Sequence, residues 1–337
     1  MMRKIKIAQI GTSRNSHGEC IFESLKKQND LFEIIGYALP EKEREKFPER
    51  MGVFEGFEQL SVEEILNNPE IEAVSVETEE QYLTKYALLA AERSKHIHME
   101  KPGGVSLCEF EKLIELVKKN HSVFHTGYMY RYNPYIMQLM KKVKSGQLGE
   151  IISVEAQMNC YHSYAVRQWL SCFPGGMMFF LGCHLIDLIL QIQGKPESIL
   201  PFNKCSGIDH AEGKDVTMAV LEYKNGVSFA KTSAVEVGGF ARRQLVVSGT
   251  KGTIEINPLE MVTEGGLYTV MTEYKAADKW HDRGNTTQSG VYDRYDAMMA
   301  SFAAMVRGEK QNPWGYDYEL ELYKTILTCC GGEKDVY

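Results

Sequence analysis

The chain has 337 residues, 44% of them hydrophobic and 25% charged, and a formal net charge of −7. That length exceeds what one hydrophobic core usually organises, so two domains are expected, and the ordinary composition argues against a disordered tail. An acidic balance with no dense Lys/Arg stripe lacks the electrostatic footprint of nucleic-acid binding, so no nucleic-acid partner is expected.

The start, MMRKIKIAQIG, passes from a basic pair straight into an alternating strand pattern with no apolar signal core, and an unexported, cytoplasmic protein is expected. The eight cysteines (Cys20, Cys108, Cys160, Cys172, Cys183, Cys205, Cys329, Cys330) are scattered and form no Cys-x-x-Cys, which fits reduced thiols; no metal site is expected.

Up to residue 126, apolar runs alternate with amphipathic ones. Strands are predicted over 5–10, 32–38, 73–76, 96–99 and 122–126, and helices over 19–27, 62–66, 83–93 and 107–119. This βαβα order implies α/β architecture over 1–126: a doubly wound parallel sheet of Rossmann type, with ligands beyond the carboxyl ends of its strands. After the first strand the chain reads Gly11-Thr12-Ser13-Arg14-Asn15-Ser16-His17-Gly18, where a dinucleotide fingerprint would read GxGxxG. The first glycine is in place and Ser13 and Ser16 stand at the other two positions, while Gly18 serves as the third if the loop is longer. Two readings stay open: a turn that merely joins strand to helix, or backbone N–H groups of Thr12, Ser13 and Ser16 offered to a pyrophosphate at a helix N-terminus. A serine forced to positive φ would cost about 1 kcal/mol.

The second strand ends at Ala38-Leu39-Pro40, so the nearest acids for an adenosine ribose are Glu41 and Glu43. Lys42 and Arg44 alternate with them, and NAD and NADP both stay open. Glu77-Thr78-Glu79-Glu80 follows the third strand and Glu100-Lys101-Pro102-Gly103-Gly104 the fourth, which places Thr78, Glu100 and Lys101 at the ligand-binding end. A lone Lys there is usually a surface residue; followed by Pro-Gly-Gly, which can shape a tight crevice wall, it becomes a candidate.

From residue 127 the pattern changes. A helix is predicted over 134–144, then strands over 151–159, 216–223, 227–234, 244–248 and 253–256, with an Asn225-Gly226 hairpin turn, and late helices over 294–306 and 318–328. Residues 127–337 are therefore predicted to form an α+β domain on a largely antiparallel sheet. Such a sheet can leave an apolar outer face, so a homo-oligomer, dimer or tetramer, is expected. The run 175–192 approaches membrane-spanning length, but it opens with Gly-Gly and contains His184 and Asp187, which favours a buried helix and no membrane partner. Phe180, His184 and Asp187 fall at i, i+4 and i+7 and share a helix face. The ordinary alternative for His184 is a core histidine with one hydrogen bond. Asn159, Tyr161, His162, Arg167 and Trp169 follow a strand and read equally as pocket lining or exposed loop.

Four segments together carry a family resemblance: Ile97-His98-Met99-Glu100-Lys101-Pro102; Gly127-Tyr128-Met129-Tyr130-Arg131-Tyr132-Asn133-Pro134; Ser145-Gly146-Gln147-Leu148-Gly149-Glu150-Ile151; and Gly175-Gly176 through Gly182-Cys183-His184-Leu185-Ile186-Asp187. In order and spacing the chain resembles the Gfo/Idh/MocA oxidoreductases, the family of glucose-fructose oxidoreductase and inositol dehydrogenase. The resemblance implies an enzyme using NAD or NADP on a carbohydrate-like substrate. Lys101 would hold the reacting oxygen and His184 would move its proton as hydride passes to or from the nicotinamide. It implies that Gly11, Thr12, Ser13, Ser16, Glu41, Thr78, Glu100 and Lys101 face the cofactor. Tyr128, Arg131, Asn159, His162, Arg167, Trp169 and Asp187 are the expected substrate-side residues.

Three departures stand out. The glycine loop is altered, the family's Thr-Pro-Asn appears as Thr78-Glu79-Glu80, and Phe180 stands where family dehydrogenases commonly carry Asp. A phenyl ring there removes a carboxylate that would favour imidazolium, so His184 is expected to be neutral at pH 7, with Asp187 as a second anchor for its ring. Three readings follow: an oxidoreductase of sugars or polyols, NAD-assisted elimination or glycoside cleavage without net redox, and a non-catalytic binding or regulatory homologue.

Overall fold

Short apolar strands alternating with amphipathic helices build the first part of the computed structural model, which describes residues 3–275 and 284–332. The order is β1 (Ile5–Ile10), α1 (Gly18–Lys27), β2 (Phe32–Ala38), α2 (Glu43–Lys46), α3 (Val62–Asn67), β3 (Ala73–Val76), α4 (Leu83–Glu92), β4 (His96–Met99), α5 (Leu107–Lys119) and β5 (Phe124–Thr126). All five strands run parallel in the order β2-β1-β3-β4-β5, so the winding reverses between β1 and β3. That switch opens a crevice at the strands' carboxyl ends, where α/β sheets bind ligands. β1 and β3 are buried on both faces, which explains their continuous apolar reading. α3 starts at a full capping box, with Ser61 Oγ accepting from Glu64 N–H at 3.1 Å and Glu64 Oε2 from Ser61 N–H at 2.7 Å. The strand predicted over 122–126 begins only at Phe124, because Ser122 N–H closes the turn after α5 by donating to Val117 O.

The chain divides into two compact units, Met1–Met129 with Tyr295–Tyr323, and Tyr130–Arg294 with Lys324–Tyr337. Residues 295–323, expected in the second domain, thus group with the first. Side-chain contacts distant in sequence explain the return. Ser24 donates to Asp296 at 2.7 Å, Thr126 to Glu319 at 2.9 Å and Tyr323 to the carbonyl of Gly104 at 2.6 Å, while Tyr323 stacks on Phe110. The two late helices run Asp296–Val306 and Tyr316–Cys329.

The second unit contains α6 (Pro134–Lys144), β6 (Ile151–Asn159), α7 (Tyr164–Trp169), α8 (Cys183–Gln193), β7 (Ser198–Lys204), β8 (Val216–Tyr223), β9 (Gly226–Ser233), β10 (Gln244–Gly249), β11 (Gly252–Ile256), β12 (Met261–Thr263), β13 (Gly266–Tyr268), β14 (Val270–Lys275) and β15 (Asn285–Gln288). Eight strands form a sheet in the order β15-β14-β11-β10-β6-β9-β8-β7, antiparallel except for the β6–β9 pair. α8 packs against β6 and β9, whose inward residues Val154, Ala156, Met158 and Ala230 are fully buried. The hairpin is real but its turn is Lys224-Asn225, since Gly226 already pairs with Tyr223. Gly226 is needed for another reason: a Cβ there would lie 2.0 Å from the carbonyl oxygen of Ile152 on β6.

Candidate active site

In the first unit the site begins with the turn after β1. Gly11 takes φ +90°, and a Cβ on it would lie 2.3 Å from Thr78 Cγ2 and 2.7 Å from the Thr78 backbone. Gly18 opens α1, where a Cβ would come within 2.9 Å of the Glu77 Cβ. These glycines therefore supply a tight turn and a close helix–strand approach, and Gly18 stands where a third glycine would in a longer loop. Neither Ser13 nor Ser16 adopts positive φ, so the serine cost does not arise. Ser13 Oγ accepts from Asn15 N–H, and Ser16 Oγ accepts from Gly18 N–H and donates to the carbonyl of Glu77.

After β2 the structure redistributes the expected roles. Glu41 and Lys42 both sit in the left-handed region, at φ +57° and +59°, which turns the chain so that the two acids diverge. Glu41 accepts from Lys85 Nζ at 2.6 Å and from the Tyr86 hydroxyl at 2.7 Å, both on α4, and these bonds hold its carboxyl below the usual range. Glu43 is fully buried instead, with Oε2 accepting from Thr12 N–H at 3.1 Å, and burial pushes its carboxyl up to about 9. Arg44 points elsewhere, donating to Gln59 and to the Tyr37 hydroxyl. Glu43 is thus the acid that reaches the loop.

The ends of β3 and β4 carry a buried polar cluster that sequence reasoning largely missed. Glu77 accepts from Ser75 Oγ at 2.8 Å and lies 3.7 Å from His98 Nε2, and His98 Nδ1 meets His125 Nδ1 at 2.8 Å. Burial pushes Glu77 up, lifts Glu80 to about 7 and lowers His98 to about 4. Neither oxygen of the fully buried Glu80 has a hydrogen-bond partner among the described residues. Glu100, although buried, is held below the usual carboxylate range by His17, whose Nδ1 is 3.5 Å away, and by Lys101, whose Nζ is 3.8 Å away. Lys101 itself is 1% exposed, so it is no surface lysine. Gly103 takes φ +120° against Phe110, and Gly104 N–H donates to Thr84 Oγ1 at 2.7 Å, so the Pro-Gly-Gly turn is pinned on both sides. Tyr128 is buried in this unit. Only alternation within β4 could have flagged His98; its pairing with His125 has no local signal.

The second unit supplies the other candidates. Gly175 and Gly176 take φ +64° and +55°, and Cβ atoms there would meet Cys330 Cα at 2.7 Å and the Lys214 carbonyl at 2.4 Å. The chain segments thus approach closely at both glycines. A π-helical stretch, Met178–Gly182, then leads into α8, so Phe180 and His184 do not share one regular α-helical face. His184 is 1% exposed and packs edge-on against Tyr130 at 5.4 Å. The Tyr130 hydroxyl donates to Glu260 at 2.6 Å, and Glu260 also pairs with Arg243 at 2.9 Å and Arg294 at 2.7 Å. Phe180 packs edge-on against Trp169 at 5.1 Å and lies 6.4 Å from the His162 ring.

Asp187 accepts from Arg131 through both oxygens, at 2.7 and 3.0 Å, and from Gln191 at 2.9 Å. This buried bidentate pair anchors Arg131 to α8. Arg167 is likewise a staple: it donates to the carbonyl of Ile208, pairs with Asp209 and lies 3.7 Å from Asp215. Tyr161 is 64% exposed, whereas Asn159 is fully buried. His162 is held below its usual value by burial and then by the Arg243 charge.

A parallel Rossmann sheet with a dinucleotide-type turn, joined to a mixed-sheet unit bearing a buried histidine, defines the two-domain class of nicotinamide-linked oxidoreductases. Residues 5–128 match the model described as "Oxidoreductase family, NAD-binding Rossmann fold", and residues 136–255 match the GFO/IDH/MocA C-terminal domain. The chain belongs to the Gfo/Idh/MocA oxidoreductase family. It is 28% identical over 196 residues to the uncharacterized oxidoreductase YhhX of Escherichia coli, covering 57% of this chain and 54% of that one. It is 27% identical over 215 residues to trans-1,2-dihydrobenzene-1,2-diol dehydrogenase of Bos taurus, covering 61% and 62%. The chain thus spans about half to three-fifths of these relatives. A levoglucosan dehydrogenase solved with NADH and levoglucosan superposes with TM-score 0.80 at 18% identity, covering 98% of each chain, and shares the fold. Among the described residues, no helix is long and apolar enough to cross a membrane and no group of side chains could hold a metal ion.

Proposed function

We propose that this protein is an NAD-dependent dehydrogenase of a cyclic sugar or polyol. The observation that carries the reading is the turn after β1: Gly11 and Gly18 let the loop and α1 pack directly against Thr78 and Glu77, where a Cβ would collide, at the strand ends that also present Glu100 and Lys101. The residues fit a dinucleotide. In the loop after Gly11, Thr12 N–H is taken by Glu43 and Asn15 N–H by Ser13 Oγ, so the N–H groups of Ser13, Arg14 and Ser16 would serve its pyrophosphate, and Glu43 would take the ribose role for which Glu41 was a candidate. A buried acid at that place, with Arg44 turned away, leaves no cation for the extra phosphate of NADP and favours NAD. The bound nicotinamide supplies the hydride acceptor or donor.

Lys101 of the first unit holds the substrate oxygen, positioned by Glu100, which His17 grips from the other side. His184 of the second unit is the candidate for the proton transfer, accepting in oxidation and donating in reduction, with its ring steadied by Tyr130. Both names among the relatives, a dihydrodiol and an anhydro sugar dehydrogenase, describe ring-shaped hydroxylated substrates, which supports this class. No disulfide joins the eight cysteines among the described residues, in keeping with a reducing cytoplasm. A homo-oligomer follows from the second unit's sheet, whose outer face presents Leu200, Phe202 and Val227, each more than half exposed.

The test is a screen of cyclic polyols and anhydro sugars with NAD, following NADH at 340 nm. Steady NADH release with at least one substrate is expected. Product formation that needs bound NAD but releases no NADH would replace dehydrogenation with redox-assisted elimination, and binding without turnover across the screen would leave a non-catalytic homologue.

A further inference from the structure

A buried acid just past the end of β3 takes no part in the chemistry assigned to Lys101 and His184. Glu80 opens the 3₁₀ turn Glu80–Tyr82 that leads into α4, is fully buried, and has no hydrogen-bond partner at either carboxyl oxygen among the described residues. Native proteins leave few buried polar atoms in that state. The chain around it fixes which groups it meets. β3 and β4 pair in parallel with Val76 beside Met99, and Glu100 N–H donates to the carbonyl of Val76 at 3.0 Å, so residues 77–80 leave the sheet alongside Glu100 and Lys101. One helical turn after Glu80, Thr84 Oγ1 accepts from Gly104 N–H at 2.7 Å, which pins the start of α4 to the turn that begins at Lys101.

Lys101 and Glu100 face Glu80 from the end of β4 and Glu79 from its own turn, while on α4 Lys85 and Tyr86 are both bonded to Glu41. Glu79 is itself paired with Lys46 at 3.2 Å, and Glu77 is pushed up by burial and then by the Glu100 charge. Burial lifts the Glu80 carboxyl to about 7 while the Lys101 charge pulls it down, so one unit of charge gained or lost nearby moves it between its two forms near neutral pH. Substrate oxidation makes such a change. Hydride passes between the substrate carbon and the nicotinamide ring, so the ring must come within reach of the oxygen that Lys101 holds, and hence of Glu80. The ring is positive in NAD and neutral in NADH. A positive ring favours the Glu80 carboxylate, whereas a neutral one lets burial favour the protonated acid.

We propose that Glu80 is a redox-linked proton acceptor, whose carboxylate takes up one proton as the bound cofactor is reduced and gives it back on oxidation. This rests on the dehydrogenase reading above and adds the group that holds the proton afterwards. The balance closes: the substrate's C–H and O–H bonds break, the hydride carries both electrons of the C–H bond to the cofactor, and one proton, the equivalent of that lost by the hydroxyl, ends on Glu80. Calorimetry with NAD and with NADH, in buffers of different ionisation enthalpy, counts the protons taken up on binding and needs no turnover. At pH 7 NADH should take up more protons than NAD. Affinity for NADH relative to NAD should then fall about fivefold or more from pH 6 to pH 8.5, because the form that binds with more protons loses more as protons become scarce. Glu80→Gln mimics the protonated acid, so at pH 6 it should bind NADH within about twofold of wild type, which also shows that it folds, and its affinity ratio should no longer depend on pH. Glu80→Asp, which keeps a carboxyl, should retain that dependence. The wild-type proton counts stand whether or not either variant folds. Equal counts for the two cofactor forms, or a pH-dependent ratio that survives in Glu80→Gln, would overturn the inference. Failure of the wild type to bind either form would instead remove the dehydrogenase reading, and this role of Glu80 with it.

Discussion

Lys101 and His184 are both almost fully buried, and a buried cation or imidazole is maintained only where neighbours define its state. Glu100 does this for Lys101, with His17 as its second partner. Once a substrate is in hand, Lys101→Ala and His184→Ala should each lower kcat on the order of 100-fold or more, in line with lost acid–base assistance, with the NADH Kd little changed. Near-wild-type rates in both would place the chemistry elsewhere. Glu43 carries a separate prediction: fluorescence titration should show NADH bound at least tenfold more tightly than NADPH, and Glu43→Gln should narrow that gap. Equal affinities in the wild type would remove Glu43 from the ribose site. At this scale the sequence was informative where a residue type is rare in its setting, as for Lys101 before Pro-Gly-Gly. It was silent where contacts are distant. Nothing local distinguishes Glu43, buried on Thr12 N–H, from Glu41, tied to α4, because a pair of left-handed residues decides between them.

Among the elements, those with a strong period were legible and those without one were not. Apart from the four charged residues of α2, which was not predicted, the strands and helices through α5 follow their apolar spacing, and the β8–β9 hairpin was visible from its turn residues. β7 was missed because Ser198–Lys204 is a mostly exposed edge strand whose apolar and polar residues do not alternate and which contains Pro201. That exposure makes it informative. Leu200 and Phe202 lie beside Val220 and Met218 across the β7–β8 ladder, forming an apolar strip on the outer face. Light scattering should therefore show a dimer or tetramer at micromolar concentration, and Phe202→Lys should shift it toward monomer; a wild-type monomer would contradict this. The π stretch before α8 had no signal in the sequence either, since it depends on two left-handed glycines packing against Cys330 and Lys214. The Arg131–Asp187 pair belongs to the same region. Breaking it with Asp187→Leu should destabilise the fold by about 3–5 kcal/mol, as expected when one partner of a buried pair is removed.

For the whole molecule, two-domain organisation was readable from length and from the change in pattern near residue 127, but the return of residues 295–323 to the first unit was not, because it rests on contacts such as Thr126 to Glu319. The buried acids give the intact protein a pH signature. Glu80 and Glu43 have folded values near 7 and 9 against an ordinary 4.5, so the folded chain holds protons that the unfolded chain releases. Their contribution to stability is complete below 4.5 and is lost as pH rises, through about 7 for Glu80 and about 9 for Glu43. The melting temperature of the cofactor-free protein should fall from pH 6 to pH 9, and Glu80→Gln with Glu43→Gln should flatten that fall; an unchanged slope in the double variant would show that other groups set it.

The central claim is that the turn after β1 holds a nicotinamide dinucleotide, and titration with NADH, followed by fluorescence and by calorimetry, tests it most directly. Saturable binding of one NADH per chain is predicted, lost in Gly11→Val, where the added side chain would collide with Thr78 at a φ of +90°. Folded wild-type protein that binds neither NADH nor NADPH at millimolar concentration would contradict it.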